Sequence, residues 1–73
     1  MDAIREYDEA IKIDPNYANA YNSKGNALKA FGRNEEAIKE YDEAIKINPK
    51  FATAYNGKGS ALSNLGRKEE AIK

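Results

Sequence analysis

Cysteine, histidine and tryptophan are all missing from this 73-residue chain, and proline occurs only twice. Without cysteine and histidine there are no disulfides, no thiolate chemistry and no zinc site built from those ligands. Neither charge is in excess, because 12 lysines and arginines balance 12 aspartates and glutamates. A dedicated nucleic-acid-binding domain normally carries a basic excess, so we expect no nucleic-acid partner.

Long apolar segments are missing as well. No run approaches the roughly 18 apolar residues needed to cross a membrane. The first 20 residues are acidic and amphipathic, unlike a signal peptide. We therefore expect no membrane partner and a reducing, cytoplasmic location. A chain of 73 residues forms one small domain at most, with a modest core.

What the chain does contain is an internal repeat. Shifting the sequence by 34 positions pairs 39 residues, of which 26 are identical. The block 6–13 (EYDEAIKI) returns unchanged at 40–47, and Pro15 falls on Pro49. A period of this length is typical of solenoids, in which stacked units bury one continuous core.

Two helical patterns lie inside each period. The first spans residues 18–31, and we expect its inner face, toward the core, to hold Ala20, Tyr21, Ala27, Leu28 and Phe31. The second spans residues 35–47, and its apolar stripe is Ala37, Ile38, Tyr41, Ala44 and Ile45. Steps of one, three and four residues predict amphipathic helices, whereas a strand would alternate with period two.

The residues between the helical patterns are typical of helix ends. We expect Gly32 to end the first helix in a left-handed conformation. We expect Asn34 to cap the second helix with its side chain. Pro49 disfavours a helical conformation at Asn48, so the second helix should end there.

This two-helix unit resembles the tetratricopeptide repeat. The family pattern has an aromatic residue, glycine and an apolar residue on the first helix, then alanine, an aromatic residue, alanine and proline on the second. These positions are Tyr21, Gly25, Leu28, Ala37, Tyr41, Ala44 and Pro49. The resemblance covers the whole chain and implies an all-α fold, a right-handed α-solenoid of antiparallel helix pairs. Lys24 and Lys58 depart from the pattern, since the family usually has an apolar residue there.

The chain is out of phase with the family's unit, in which helix A precedes helix B. Residues 1–14 correspond to helix B of a truncated unit, 18–48 to a complete unit, and 52–73 to a second truncated unit. We expect residues 1–73 to form a single fragment of about two units, B-A-B-A, with helix A at 52–65 and a stub at 69–73.

This phase leaves two outcomes open. Both ends expose faces meant for neighbouring repeats, which suits either a frayed monomer or a head-to-tail homo-oligomer. In the oligomer, residues 1–14 of one chain cover residues 52–65 of another, and the stub is displaced or disordered.

The resemblance also implies a protein–protein interaction module, in which the A helices line a concave groove for a peptide segment. The implied groove positions are Asn19, Asn22, Asn26, Lys29, Thr53, Asn56, Ser60, Ser63 and Asn64. Asn22 and Asn26 are one helical turn apart, so we expect both amides on one face, where they can pair with a peptide backbone. The alternatives are an ordinary solvated face, or a purely structural or engineered consensus-like repeat that self-associates without a dedicated ligand.

Charge is segregated by helix. Residues 18–33 carry three basic side chains and no acid, whereas 1–14 have a net charge of −3 and 35–50 of −2. This pattern suits a mildly acidic ligand in the groove, or attraction between adjacent layers that favours correct stacking.

Carboxylate pairs are the only candidates for catalysis. They are Asp8 with Glu9, Glu35 with Glu36 and Glu69 with Glu70. All lie in first turns of helices or on exposed helix faces, where solvation and the helix dipole explain them. We therefore expect no enzyme, no catalytic residue, no metal site and no cofactor.

Overall fold

A computed structural model describes residues 3–72, with side chains for residues 3–67. The four helices are α1 (Ala3–Ile13), α2 (Ala18–Ala30), α3 (Asn34–Ile47) and α4 (Ala52–Ile72). Consecutive helices pack against each other, and α2 also contacts α4. The expected all-α solenoid of two units is confirmed. Met1, Asp2 and Lys73, at the ends of the expected first helix and stub, lie outside the described residues.

The turn between α2 and α3 closes as expected at Gly32, which has a φ of 81°. Its N–H donates to the carbonyl of Lys29 at 2.9 Å, and the N–H of Arg33 donates to the carbonyl of Leu28 at 2.9 Å. Together these bonds form a Schellman motif. The expectation for Asn34 was wrong. Arg33 is the N-cap of α3 and makes no side-chain cap. Asn34 is the first residue of the helix, and its amide nitrogen donates to the Gly32 carbonyl, 3.4 Å away.

The other two connections share one local design, as the repeat predicts. The Asp14 carboxylate accepts a hydrogen bond from the N–H of Asn16 at 3.1 Å. The side-chain oxygen of Asn48 accepts one from the N–H of Lys50 at 3.2 Å. Each bond spans the intervening proline. Asn48 itself has an extended conformation, with φ −131° and ψ 91°, so the expected end of α3 before Pro49 is confirmed.

The core is thin and built mostly from alanine. Its buried members are Leu28, Ala37, Tyr41, Ala44, Ala54 and Ala61. The predicted apolar stripe of α3 faces this core, with its two isoleucines half-buried at the margin. Phe31 was expected in the core, but it is 68% exposed. It is the C-cap of α2, beyond the last helical residue, and so lies past the face that α3 covers.

Tyr41 is the one large side chain that is completely buried among residues 3–67. Two glycines permit this close packing. A Cβ atom added at Gly25 in α2 would lie 2.8 Å from Tyr41 Cε1, and one added at Gly57 in α4 would lie 2.5 Å from the same atom. Helices α2, α3 and α4 therefore meet around one aromatic ring.

Helix α4 does not end at Leu65 as expected, and its backbone continues as helix to Ile72. Gly66 is the counterpart of Gly32, yet only Gly32 has a positive φ. The predicted stub at 69–73 is therefore helical as far as Ile72. Continuing α4 as far as Ile72 gives residues 67–72 helical backbone hydrogen bonds without the cost of a new helix nucleus.

Candidate functional site

The predicted groove residues belong to α2 and α4, which lie next to each other. The structure gives these side chains three environments. The exposed ones are Asn19, Asn26, Thr53, Asn56, Ser60 and Ser63. Lys29 and Asn64 are half-buried, and Asn22 is buried. Six of the nine predicted positions are thus open to a ligand in this structure, four of them on α4.

Asn22 does not share an accessible face with Asn26, contrary to expectation. Its residue is only 7% exposed, and its Oδ1 atom has no hydrogen-bond partner among the described residues. Helix α2 packs against all three other helices, so more of its circumference is covered than that of α4. Four residues advance a helix by about 400°, and the remaining offset of about 40° is enough to turn Asn22 inward.

Asn26 is held in place by the core. The hydroxyl of Tyr41 donates a hydrogen bond to Asn26 Oδ1 over 2.5 Å. The ammonium of Lys29 lies 6.0 Å from the centre of the same tyrosine ring, within the range of a cation–π contact. Tyr41 therefore orients two neighbouring polar groups of α2 at once. The bond uses one acceptor position of the Asn26 amide oxygen and directs the amide nitrogen away from the Tyr41 hydroxyl.

The sequence prediction assigned Tyr41 to the core and overlooked this contact. A signal was present, because a buried tyrosine hydroxyl normally finds a hydrogen-bond partner. Asn26 follows Gly25, the residue of α2 on which the ring packs. Burial raises the pKa of the Tyr41 phenol. The hydroxyl is thus held in the neutral form that can donate to Asn26.

Asn64 has a structural contact. Its amide nitrogen donates to the Oδ1 atom of Asn34, 3.1 Å away, at the start of α3. Because Asn34 in turn reaches back to the Gly32 carbonyl, this side chain ties α4 to the turn between α2 and α3. Its amide is already engaged, which sets it apart from the exposed serines of α4.

Lys24 and Lys58 form equivalent ion pairs in the two repeats. Lys24 Nζ lies 2.7 Å from Asp8 Oδ1, and Lys58 Nζ lies 2.7 Å from Asp42 Oδ1. Lys24 also lies 3.9 Å from a carboxylate oxygen of Glu40. Each lysine thus joins its A helix to the preceding B helix. The segregation of charge by helix contributes to stacking, as one of the two interpretations predicted.

The pKa values around Lys24 reflect this setting. Desolvation lowers the pKa of Lys24, but the hydrogen bond to Asp8 and the charge of Glu40 outweigh it, and the net change is upward. Desolvation raises the pKa of Glu40, although Lys24 opposes that shift. The lysine is therefore a firmly charged group at the helix junction.

An open cleft of about 220 Å³ lies between α1 and α2. Its lining residues are Tyr7, Ala10, Tyr17, Asn19, Ala20 and Ser23. Shifted by 34 residues, Tyr7, Ala10 and Ala20 correspond to Tyr41, Ala44 and Ala54, which are completely buried. The cleft is thus the surface of α1 and α2 on which a preceding A helix would lie.

Comparisons with known proteins agree with this geometry. A family model described as TPR repeat matches residues 2–32 and 25–66. Comparison with curated proteins found no match.

Within residues 3–72, no helix combines the length and the apolar character needed to cross a membrane. Among residues 3–67, whose side chains the structure describes, no three acidic side chains are grouped so that they could hold a metal ion.

Proposed function

Because the chain belongs to the tetratricopeptide repeat family, we propose that the groove along α2 and α4 binds a peptide segment of a protein partner. Repeats of this family are generally protein–protein interaction modules, and they are typically not catalytic. On this chain, the peptide would lie along α2 and α4 and would be bound by polar side chains of these two helices.

The contact between Tyr41 and Asn26 carries the proposal. Tyr41 is completely buried and cannot follow a ligand, so its hydroxyl is a fixed anchor for the Asn26 amide. Asn26 is exposed nevertheless. A side chain that is already oriented loses less conformational entropy on binding than a free one, where ordering costs about 0.5–1.5 kcal/mol.

The chemistry of this site favours a ligand rich in hydrogen-bond acceptors. The oxygen of Asn26 already accepts a hydrogen bond from Tyr41, whereas both N–H groups of the amide remain to be donated to a ligand. Lys29 adds an ammonium group on the same helix, one turn further on. Peptide carbonyls and carboxylates are the acceptors that such a pair binds. Recognition through carbonyls depends little on the side chains of the peptide.

Helix α4 extends the same surface. Asn56 and Ser60 are exposed and one helical turn apart, so they face the same side of α4. Asn56 is the counterpart of the buried Asn22, and its amide is open to solvent. A peptide crossing from α2 to α4 would meet amide and hydroxyl groups in sequence.

The experiment is a screen of displayed random 12-residue peptides, followed by calorimetric titration of the best binders. Asn26→Ala and Asn56→Ala should each weaken binding several-fold to about tenfold, since a hydrogen bond contributes about 0.5–1.5 kcal/mol. Asn22→Ala is the matched control, because the same change is made at a buried position of α2.

A saturable peptide whose affinity is unchanged by Asn26→Ala and Asn56→Ala would show that the asparagines are not the recognition groups. A screen that yields no saturable binder would favour the purely structural alternative. An equal loss on Asn22→Ala would mean that the substitutions act through the fold of α2.

A further inference from the structure

One face of α4 lacks the cover that its counterpart on α2 has. Leu62 is 51% exposed, whereas the equivalent Leu28 is 2% exposed against α3. Tyr55 is also 51% exposed. A Cβ atom at Gly59 would meet nothing within 4 Å, whereas at the equivalent Gly25 it would collide with Tyr41. This face of α4 is shaped for a helix like α3.

Helix α1 supplies a surface of that kind. Its segment 6–13 is identical in sequence to segment 40–47 of α3. Tyr7 is the counterpart of Tyr41, and both Tyr7 and Ala10 border the open cleft beside α2. The cleft of one molecule thus offers the residues that the face of α4 requires.

We infer that the chain associates head to tail, with the α4 face around Gly59 docked in the α1–α2 cleft of a second copy. Tyr7 of the second copy then lies against Gly59, as Tyr41 lies against Gly25 within one molecule. The surface is heterologous, so each molecule keeps one free cleft and one free α4 face. Association therefore continues into open chains unless the rotation closes a ring.

Charge complementarity supports the second copy as the occupant. Lys24 lies near two carboxylates, Asp8 on the preceding helix and Glu40 on the following one. Lys58 pairs with Asp42 on the preceding helix. In the docked arrangement the following helix is α1 of the second copy, which places the counterpart of Glu40 beside Lys58. That counterpart is Glu6, an exposed residue in the single chain.

One sequence difference between the two repeats should make the contact between copies weaker than the equivalent contact within the chain. Ser23 stands in the first repeat where Gly57 stands in the second. A Cβ at Gly57 would lie 2.5 Å from the Tyr41 ring, and Ser23 carries such a Cβ. Tyr7 therefore cannot lie as close to Ser23 of α2 as Tyr41 lies to Gly57 of α4. Reversible association, strengthened by Ser23→Gly, is expected.

The test is the mass of the full 73-residue chain by light scattering and sedimentation, over a wide range of concentration. The weight-average mass of the wild type should climb with concentration. Gly59→Gln should abolish this rise, because the new side chain fills the docking face while leaving the monomer unhindered. Ser23→Gly should tighten association on the order of tenfold by relieving the crowding of Tyr7.

Gly66→Gln is the matched control. Gly66 is also an exposed glycine inside α4 with open space around its Cβ position. Its counterpart Gly32, in the turn between α2 and α3, has open space as well. The control should keep the concentration dependence of the wild type. Helix content by circular dichroism confirms that all variants are folded.

A mixing experiment tests the direction of association. Gly59→Gln blocks the α4 face, and Ala10→Gln fills the cleft of about 220 Å³. Each variant alone should be monomeric, and an equimolar mixture should form a 1:1 dimer that grows no further. A constant monomer mass of the wild type would overturn the inference. So would association that survives Gly59→Gln, or a mixture that fails to form the dimer.

Peptide binding is measured separately on the Gly59→Gln monomer. Asn26 and Lys29 remain unaltered in that variant, so the proposed peptide contacts on α2 stay intact. Loss of self-association with retained peptide affinity would support both proposals, whereas each can fail without affecting the other.

Discussion

Gly57→Ala and Gly59→Ala are the same change, two residues apart in one helix, and should have opposite effects on stability. A Cβ at Gly57 would lie 2.5 Å from both Cε1 and Cζ of Tyr41 and 2.8 Å from its hydroxyl oxygen. At Gly59 it would meet nothing within 4 Å. Alanine is favoured over glycine in a helix interior by about 0.5–1 kcal/mol. Gly59→Ala should therefore stabilise the chain by about that amount.

Gly57→Ala gains the same helix propensity but must displace the Tyr41 ring. The ring is completely buried, its hydroxyl is bonded to Asn26, and Gly25 confines the same ring edge. Overpacking of a core costs about 1–3 kcal/mol. The free energies of unfolding of the two variants should differ by that amount. For a chain of this size, each 1 kcal/mol corresponds to about 4–8 °C in Tm.

The assay is urea denaturation followed by circular dichroism. It is performed at concentrations where the midpoint no longer depends on protein concentration, because association stabilises the folded state. Repeating both substitutions in a Tyr41→Leu background removes the ring and should bring the two variants together. Equal effects of the two substitutions in the wild-type background would refute the close packing described around Tyr41.

Three further predictions concern single side chains. Tyr41→Phe should lower the free energy of unfolding by about 0.5–1.5 kcal/mol through loss of the bond to Asn26. Burial raises the folded-state pKa of Tyr41 above its unfolded value of about 10. The wild type should therefore lose stability relative to Tyr41→Phe once the pH exceeds about 10, by at most about 1.4 kcal/mol per pH unit. Urea midpoints of the two proteins that run parallel from pH 8 to 11 would contradict this. Asn22→Ala should be neutral or stabilising in thermal melts, because it removes a buried acceptor without a partner; a loss above about 2 kcal/mol would mean that the amide is satisfied. Lys24→Met should change the unfolding free energy by less than about 1 kcal/mol, because the Asp8 side chain is 53% exposed; a double-mutant cycle with Asp8→Asn measures the coupling.

Much of the fold is encoded locally and was predictable. The 34-residue period, Gly32 and Pro49 define helix ends that need no knowledge of tertiary contacts. The apolar stripe of α3 was correct because its buried residues, Ala37, Tyr41 and Ala44, follow one simple helical periodicity, which identifies the buried face. Local backbone chemistry and one-sided amphipathicity are properties that a short window of sequence contains.

The errors arose where several helices meet. Periodicity gives the spacing of Asn22 and Asn26 but not the number of helices around α2, and that number decides which of them is buried. The capping expectation at Asn34 failed because Arg33 takes the N-cap position and the Asn34 side-chain oxygen accepts a hydrogen bond from Asn64 of α4. The bond between Tyr41 and Asn26 joins residues fifteen apart, so only the packing of two helices reveals it.

The dipeptide Gly-Arg occurs at 32–33 and again at 66–67, and it has two backbone forms in one molecule. At 32–33 it reverses the chain, and at 66–67 it lies within a continuous helix. Surrounding structure, and not the dipeptide itself, selects the form. A Gly-Arg boundary of this kind lets an array be lengthened or shortened by whole repeats without a change in the sequence at the boundary.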